Sequence, residues 1–557
     1  MHSSYSVEII LPDNNIKIVS CGRTLLEISK EVQDHYPSTI VAALVNNKLM
    51  ELSGCIKESA QVRFLDLTTR EGARIYQRSL TFLLIYSAHV LFPDATVKIE
   101  HSLGKGLYCE IVKDPALNGK DVEMLENKMC ELVKKDIKIS KRKVSKTDAK
   151  KVFKKQGYTD KVHLLDDYQK DTLSLYSIED LEDTLYGYHI PSTGYLKVFA
   201  LQYYKPGLIL RFPDQQYPSA LPPFVQHPKL FGIFREAERW GEILGFDTVG
   251  DMNRLIKEGN GPEAIRITEA LHEKKISQIA DLITERNNEI RIIMIAGPTS
   301  SGKTTFAQRL RIQLLVNGIS PYLISLDDYF VDHAKTPLDE ANKPDFEHIE
   351  TIDLPLFNEH LLRLLAGDEV EIPTFNFTNG LREYNGKSIK LEKNQPLIIE
   401  GIHGLNERLT YSIPRDQKFK IYISALTSLN IDRHTRIHTT DTRLLRRIVR
   451  DIQFRGTDAL TNIRRWPSVR RGEECNIFFL QEEADIMFNS SLAYEVAVLK
   501  QFAEELLEKI CDTEPEYLHV KRLLTFLSFF ISMKPDDNIP SNSILREFIG
   551  GSCFFGA

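Results

Sequence analysis

The chain has 557 residues, 42% of them hydrophobic and 27% charged, with 29 glycines and 24 prolines. That length holds about three or four folded units, and the composition excludes a disordered or fibrous chain. Lys and Arg total 71 against 77 Asp and Glu, a net charge of −6, so no overall field holds the chain on nucleic acid and only local basic patches remain as a route.

The first residues, Met1–Val7, carry neither the basic stretch nor the apolar core of a secretory leader. The cysteines (Cys21, Cys55, Cys109, Cys130, Cys475, Cys511 and Cys553) are odd in number, scattered and without a Cys-x-x-Cys pair, so they read as reduced thiols. A cytoplasmic protein is the expectation. Within residues 1–66, Val7–Ile10, the turn Pro12-Asp13-Asn14-Asn15 and Ile16–Val19 predict a hairpin. A helix over Leu25–Val32 and strands at Val41–Val45 and Val62–Leu65 complete a β-grasp-like α+β unit.

Residues 67–240 predict a second α+β unit, with a helix over Gln77–Phe92, a strand over Val97–Glu100 and a glycine-punctuated turn at His101–Gly106. The basic run Lys134–Lys155, with Lys141-Arg142-Lys143 and Lys150-Lys151, reads as a solvated helix face. An RNA-contacting patch is the alternative, although aromatic residues are sparse there. Residues 241–288 predict a helical connector. From 289 to 500, alternating strands and amphipathic helices predict a parallel α/β sheet. In the 501–557 tail, Leu523–Met533 is far short of the roughly 20 residues that span a bilayer and predicts a buried helix. No membrane contact is expected. Pro540, the Asn542-Ser543 break and Gly550-Gly551 frame a short docked helix.

The chemistry concentrates after Glu289. Gly297-Pro298-Thr299-Ser300-Ser301-Gly302-Lys303-Thr304 fits G-x-x-x-x-G-K-[ST], between the apolar strand Arg291–Ala296 and a helix with Phe306, Leu310 and Leu314 on one face. Such a loop wraps phosphate with backbone N–H groups. Lys303 reaches the outer phosphates, and the Thr304 hydroxyl can ligate Mg²⁺. A second strand, Tyr322–Leu326, ends in Asp327-Asp328, and a third, Pro396–Ile399, ends in Glu400. Parallel strands share one carboxyl edge, so Asp327 is the candidate base and Glu400 the candidate metal-side acid. The alternative for Asp327 is a helix cap. Arg443, Arg446, Arg447 and Arg450 recur at helical spacing before Arg455, as a basic lid would; a solvated, salt-bridged helix is the alternative. No N-K-x-D motif follows Thr304, and Ser145-Lys146-Thr147-Asp148 lies upstream, which argues against a GTPase.

Taken in order, the phosphate loop, Ser325–Phe330, Glu400-Gly401-Ile402 and Asp441–Gly456 resemble the uridine kinase and phosphoribulokinase family over about residues 285–500. The resemblance implies ATP phosphates at Gly297, Pro298, Thr299, Ser300, Ser301, Gly302, Lys303, Thr304 and Thr305, with Arg455 beside them. It implies Mg²⁺ at Thr304 and Glu400, and catalysis by Asp327, Lys303, Arg447 and Arg450. It places the acceptor against Asp327, Tyr329, Glu347, Phe375, Arg382 and Arg447. Two positions depart from the family: Glu347 stands where an Asp holds ribose hydroxyls, and Gly380 where a base-contacting His stands.

Residues 6–66 resemble a TGS domain, and Asp66–Gly72 with His189–Tyr195 resemble the second additional, editing domain of threonyl-tRNA synthetases. That domain's cluster of two His and a Cys–His pair corresponds here to Arg78, Phe82, Leu185 and His189, so neither zinc nor editing is expected. The expected activity is an ATP- and Mg²⁺-dependent kinase acting on a nucleoside hydroxyl, uridine or cytidine first. The alternatives are a kinase of another small alcohol or sugar phosphate, and an ATP-switched RNA-binding protein linked to translation. The oligomeric state is not legible.

Overall fold

The computed structural model describes residues 6–555 apart from 13, 287–288, 340–341, 377–378, 428 and 536–537. Met1–Tyr5, Asp13 of the first turn, Asn288 of the connector, and Phe377 and Thr378 near the acceptor segment therefore lie outside the described residues.

The first sheet has five strands, Ser6–Ile10, Ile16–Ser20, Ala42–Val45, Lys48–Glu51 and Ala60–Leu65, arranged second, first, fifth, third, fourth. The first pairs antiparallel with the second and parallel with the fifth, the β-grasp arrangement. The helix Leu25–Val32 starts at a Thr24–Glu27 capping box and buries Leu25, Ile28 and Val32 beneath Val7, Ile9 and Val62.

The next unit is built on the helix Arg70–Leu91, whose side chains from Ser79 to Ala88 are all buried. A four-stranded antiparallel sheet (Thr96–Leu103, Gly106–Val112, Ala200–Tyr204, Gly207–Arg211) and a three-stranded one (Ser140–Ser145, Thr172–Ile178, Leu181–Asp183) flank it. The basic run is not one helix face, because it begins at the end of the helix Gly119–Lys135, passes through the strand Ser140–Ser145 and finishes in the helix Lys146–Lys155. Several of its cations are paired: Lys141 with Glu51, Arg142 with Glu182, Lys150 with Asp166 and Lys151 with Asp148.

The connector forms the helices Val249–Lys257 and Gly261–Glu285, while the preceding helix, Pro228–Leu244, runs through the boundary drawn at residue 240. Beyond it stands a fully parallel five-stranded sheet in the order Tyr322–Ser325, Leu397–Glu400, Ile292–Ala296, Lys418–Ser424, Ile486–Asn489. Ile292–Ala296 is wholly buried at its centre, as a strand covered by helices on both faces must be. The helix expected over Leu523–Met533 ends at Leu527, and Phe529, Phe530 and Met533 are buried as irregular chain. The short tail helix is Arg546–Ile549.

Buried charge joins the two halves. Lys161, with no solvent exposure, lies 2.9 Å from both Asp183 of the N-terminal half and Asp432 of the C-terminal half. His434 reaches Asp183 at 2.6 Å. Among the described residues no helix is long and apolar enough to cross a membrane, and all seven cysteines are unpaired.

Candidate active site

Three strand ends meet at one edge of the parallel sheet. Ile295 of the central strand pairs in register with Glu400, and Glu400 with Ser325. The chain after Ile292–Ala296 therefore turns into the phosphate loop directly beside both candidate acids. The loop closes onto the helix Lys303–Val316 through Gly302, at φ +84°, a conformation side chains other than glycine resist. Lys303 Nζ donates to the loop's own carbonyls at Gly297 (3.0 Å) and Pro298 (3.2 Å), spanning the cradle it would share with phosphate.

The Thr304 hydroxyl (3.3 Å) and the Ser325 hydroxyl (3.1 Å) both donate to Glu400 Oε1. Burial, with the Asp327 charge added, pushes Glu400 up to about 7 although Lys303 opposes it. Asp327 is raised as well, by burial, against the pull of Lys303, Arg455 and Arg450. Two crowded carboxylates, a hydroxyl and a phosphate cradle fit a hard cation that takes few protein ligands and completes its shell with phosphate and water. The cap of the short turn Leu326–Tyr329 is Ser325, whose Oγ accepts from the Asp327 backbone N–H, so Asp327 lies inside the turn and not at its cap.

The four arginines of the helix Thr439–Phe454 divide into two pairs by the 3.6-residue turn. Arg443 and Arg446 are fully buried and belong to the scaffold, not to a lid. Arg443 donates to Thr299 O (3.0 Å) and pairs with Glu473, whose carboxylate also accepts from Thr299 N. Arg446 pairs with Glu495 (2.6 Å) and contacts Ser300 O (3.4 Å). Arg447 and Arg450 gather on Asp451, at 3.4 and 2.7 Å, with Arg455 at 3.9 Å. Only this second group has the cleft-side position expected of a lid, and it too is salt-bridged. Glu473 and Asp451, which hold loop and arginines in place, were not singled out by the motif; their sequence signals were the three-residue step from Arg470 to Glu473 and the four-residue step from Arg447 to Asp451.

On the acceptor side Glu347 is half-buried, with Oε2 sealed and unpartnered. Burial and Glu473 push its carboxyl up to about 7, against Arg447 and Lys303. Phe375 is buried against Phe330 and His333, with ring centroids 5.6 and 5.5 Å away, and Phe346 stands 5.2 Å from His333. Gly380, at φ +72°, has no room for a side chain, because a Cβ there would collide with the His333 ring. His333 had no sequence signal; the fold brings it to the space a residue at 380 would enter. Two further acceptor candidates are engaged with the protein itself. Tyr329 is 1% exposed, packs edge-on against Phe357 and bonds His360 at 3.2 Å, so it is core beneath the cleft. Arg382 is tied to Asp353 at 2.8 Å.

Residues 292–497 match the model of the phosphoribulokinase / uridine kinase family. The matched segment contains the phosphate loop, Asp327, Glu400 and the arginine helix. Its solved likenesses include a protein described as a possible uridine kinase from Bacillus stearothermophilus (18% identity, TM-score 0.25, covering 38% of this chain and 97% of that one). Another is D-glycerate 3-kinase from Cryptococcus neoformans (13%, TM-score 0.22, covering 45% and 87%). The N-terminal half matches threonine–tRNA ligases instead. Those of Geobacter sp. strain M21 and Desulforamulus reducens are 30% identical over 195 and 196 residues, 35% of this chain. The chain spans 31% of the length of these ligases.

In that ligase-like half, His189 and the residues around it form a filled core. His189 packs on Phe82 (5.6 Å) and Tyr176 (4.3 Å), and its Nδ1 lies 3.3 Å from Ser79 Oγ. Arg78 fills the adjoining space against Gly187 and donates to Tyr188 O at 3.0 Å. Burial, with the Arg78 charge beside it, holds the His189 ring well below the usual histidine range. Leu185 is buried in the same core. Among the described residues no group of three or more His, Cys, Asp or Glu is placed to hold a metal ion.

Proposed function

We propose that the chain is an ATP- and Mg²⁺-dependent kinase that phosphorylates the hydroxyl of a small acceptor, a nucleoside first. The observation that carries this reading is the meeting of Asp327, Glu400 and Lys303 at one sheet edge, with Arg450 and Arg455 close enough to act on the Asp327 charge. The acceptor oxygen attacks the γ-phosphorus while the bond to the β–γ bridging oxygen breaks. ADP leaves, and the hydroxyl proton passes to the Asp327 carboxylate. Lys303 and the Asp451-held arginines stabilise charge on the transferring group. Thr304 and Glu400 would hold Mg²⁺, which supplies neutralisation of the outer phosphates.

A nucleoside is favoured over a sugar phosphate by the aromatic cluster of Phe346, Phe375 and His333 on the acceptor side, where the exposed Phe346 is the ring a base could pack on. Glu347 is the candidate partner for ribose hydroxyls. We further read residues 1–66 as a TGS domain and 67–240 as an editing-domain relative without the editing cluster, on the β-grasp strand order and the filled His189 site. The units 241–288, 289–500 and 501–557 follow as connector, kinase and tail. The paired charges of the Lys134–Lys155 run weigh against an RNA-binding role.

The test is ADP release with ATP and Mg²⁺ over a panel of nucleosides and sugar phosphates, with Lys303→Ala as the blank. Release with uridine or cytidine supports the reading. Release with a sugar phosphate alone moves the acceptor to the second class, and silence over the panel rejects the kinase.

A further inference from the structure

The phosphate cradle is already in contact with an anion, and that anion belongs to the chain. Glu547, in the tail helix Arg546–Ile549, accepts from the backbone N–H of Thr305 at 3.2 Å and from the Thr305 hydroxyl at 2.7 Å. Thr305 lies in the first turn of the 14-residue phosphate-loop helix, where the N–H groups have no partner within the helix and the helix dipole favours negative charge. In a G-x-x-x-x-G-K-T loop those N–H groups cradle the α- and β-phosphates of the nucleotide. A carboxylate and a phosphate oxygen cannot both take the one Thr305 hydrogen in the same line.

The tail is held for this contact at several points. Ile544 lies on Gly302, so that a Cβ at 302 would come within 2.5 Å of its Cγ2. Phe548 is fully buried under the Arg446 guanidinium, 5.0 Å from ring centroid to Cζ, and Arg446 also contacts Ser300 O. Ser543 Oγ donates to Glu269 Oε1 at 2.5 Å, on the connector helix. A Cβ at Gly550 would meet Gln453 and Phe454, at the end of the arginine helix. The tail thus touches the loop, its helix and the helix carrying Arg447 and Arg450. The Glu547 charge also adds to the crowding around Glu400, which already faces Asp327.

We propose that the Ile539–Ser552 tail is an internal occupant of the nucleotide site, with Glu547 in the place of a nucleotide phosphate oxygen, so that ATP binds by displacing this carboxylate. The inference rests on the nucleotide-site reading above and adds a regulation of that site. It makes ATP affinity a property of the tail as well as of the loop, and any partner that draws the tail away raises that affinity.

The experiment is calorimetric titration of the full chain with ATP and Mg²⁺, comparing the native protein with Glu547→Gln and Glu547→Ala. Inorganic triphosphate is the second probe, and Lys303→Ala the control. The expected result is ATP and triphosphate affinity raised about tenfold in both Glu547 variants, the Gln variant keeping the native melting temperature because it keeps an acceptor for the Thr305 donors. Unchanged or weaker affinity in the Gln variant overturns the proposal, since the tail then completes the site instead of competing for it. If Lys303→Ala binds ATP as well as the native protein does, the nucleotide-site reading fails, and the proposal with it. If the native chain binds ATP, Lys303→Ala does not, and Glu547→Gln gains nothing, only the tail proposal falls.

Discussion

Two sites in the molecule treat buried polar groups in opposite ways. Around the phosphate loop, Asp327, Glu400 and Glu347 are carboxylates with too little positive charge nearby, and burial raises all three. At Lys161, Asp183 and His434, and at Arg78 and His189, equally buried groups are paired or packed. Burial alone would raise Asp183, yet Lys161 and His434 bring it to about 2. A site that awaits a charged ligand leaves its charges unbalanced, whereas a site that holds the fold together balances them internally. By that criterion the cleft beside the phosphate loop carries the unbalanced charge that the proposed cation and polyphosphate would meet, and the filled space at His189 is structural packing.

The comparison breaks first at Asp327. Asp327→Asn keeps the size and removes the base, and it is expected to lower kcat by roughly 10²–10⁴-fold while ATP binding stays, as single-turnover phosphoryl transfer and calorimetry will show. Equal turnover would mean the base is elsewhere. In the other half the largest effect is on stability. Lys161→Ala leaves Asp183 and Asp432 facing each other in the interior and is expected to cost about 3–5 kcal/mol in denaturant unfolding, with Lys161→Met milder only if a neutral chain is tolerated there. A loss below about 1 kcal/mol would show that the joint is hydrated and the two halves separable.

The pH dependence sharpens the same contrast with opposite signs. Glu400 and Glu347 have folded-state values near 7, above their ordinary 4.5, so the unfolded chain binds fewer protons between those limits and they make stability fall as pH rises from about 4.5 to 7. Asp183 is depressed to about 2, so its contribution is present above its ordinary 3.8 and is lost as pH falls through about 2. With Asp327 as the proposed base, kcat/KM is expected to rise with pH along an acidic limb belonging to the coupled Asp327–Glu400 pair. Excess Mg²⁺ is expected to move that limb to lower pH. A limb unmoved by Mg²⁺ would separate Glu400 from the metal.

Much of this was legible in the sequence wherever chemistry is written in contiguous residues. The phosphate loop with its strand and helix, the strand-end acids, the β-grasp hairpin and the helix at Leu25–Val32 could be read directly, because periodicity and turn residues are local signals. What was not legible depends on contacts between distant segments. Arginine spacing cannot say that Arg443 and Arg446 buttress the loop while Arg447 and Arg450 gather on Asp451. Tyr329 reads as an acceptor contact beside Asp327, yet the short turn Leu326–Tyr329 carries it to the core side. His333 meets Gly380 through a loop whose sequence carries no periodic signal, and Glu547 reaches Thr305 across 242 residues.

The smallest expected effect tests whether charge on the N-terminal half is ligand-directed at all. Arg142 is half exposed and pairs with Glu182 at 2.5 Å, in the middle of the basic run. As a surface ion pair it contributes about 0–1 kcal/mol, so Arg142→Ala should barely move the melting temperature. The informative readout is an RNA mobility shift across a salt series. Arg142 is engaged with Glu182, as Lys141, Lys150 and Lys151 are with Glu51, Asp166 and Asp148, so Arg142→Ala should leave both RNA affinity and salt slope unchanged. A steep salt dependence that drops by about one unit in the variant would instead make Arg142 a phosphate contact. The ligase-like half would then carry a nucleic-acid surface, and its charges would belong with the unbalanced ones of the cleft.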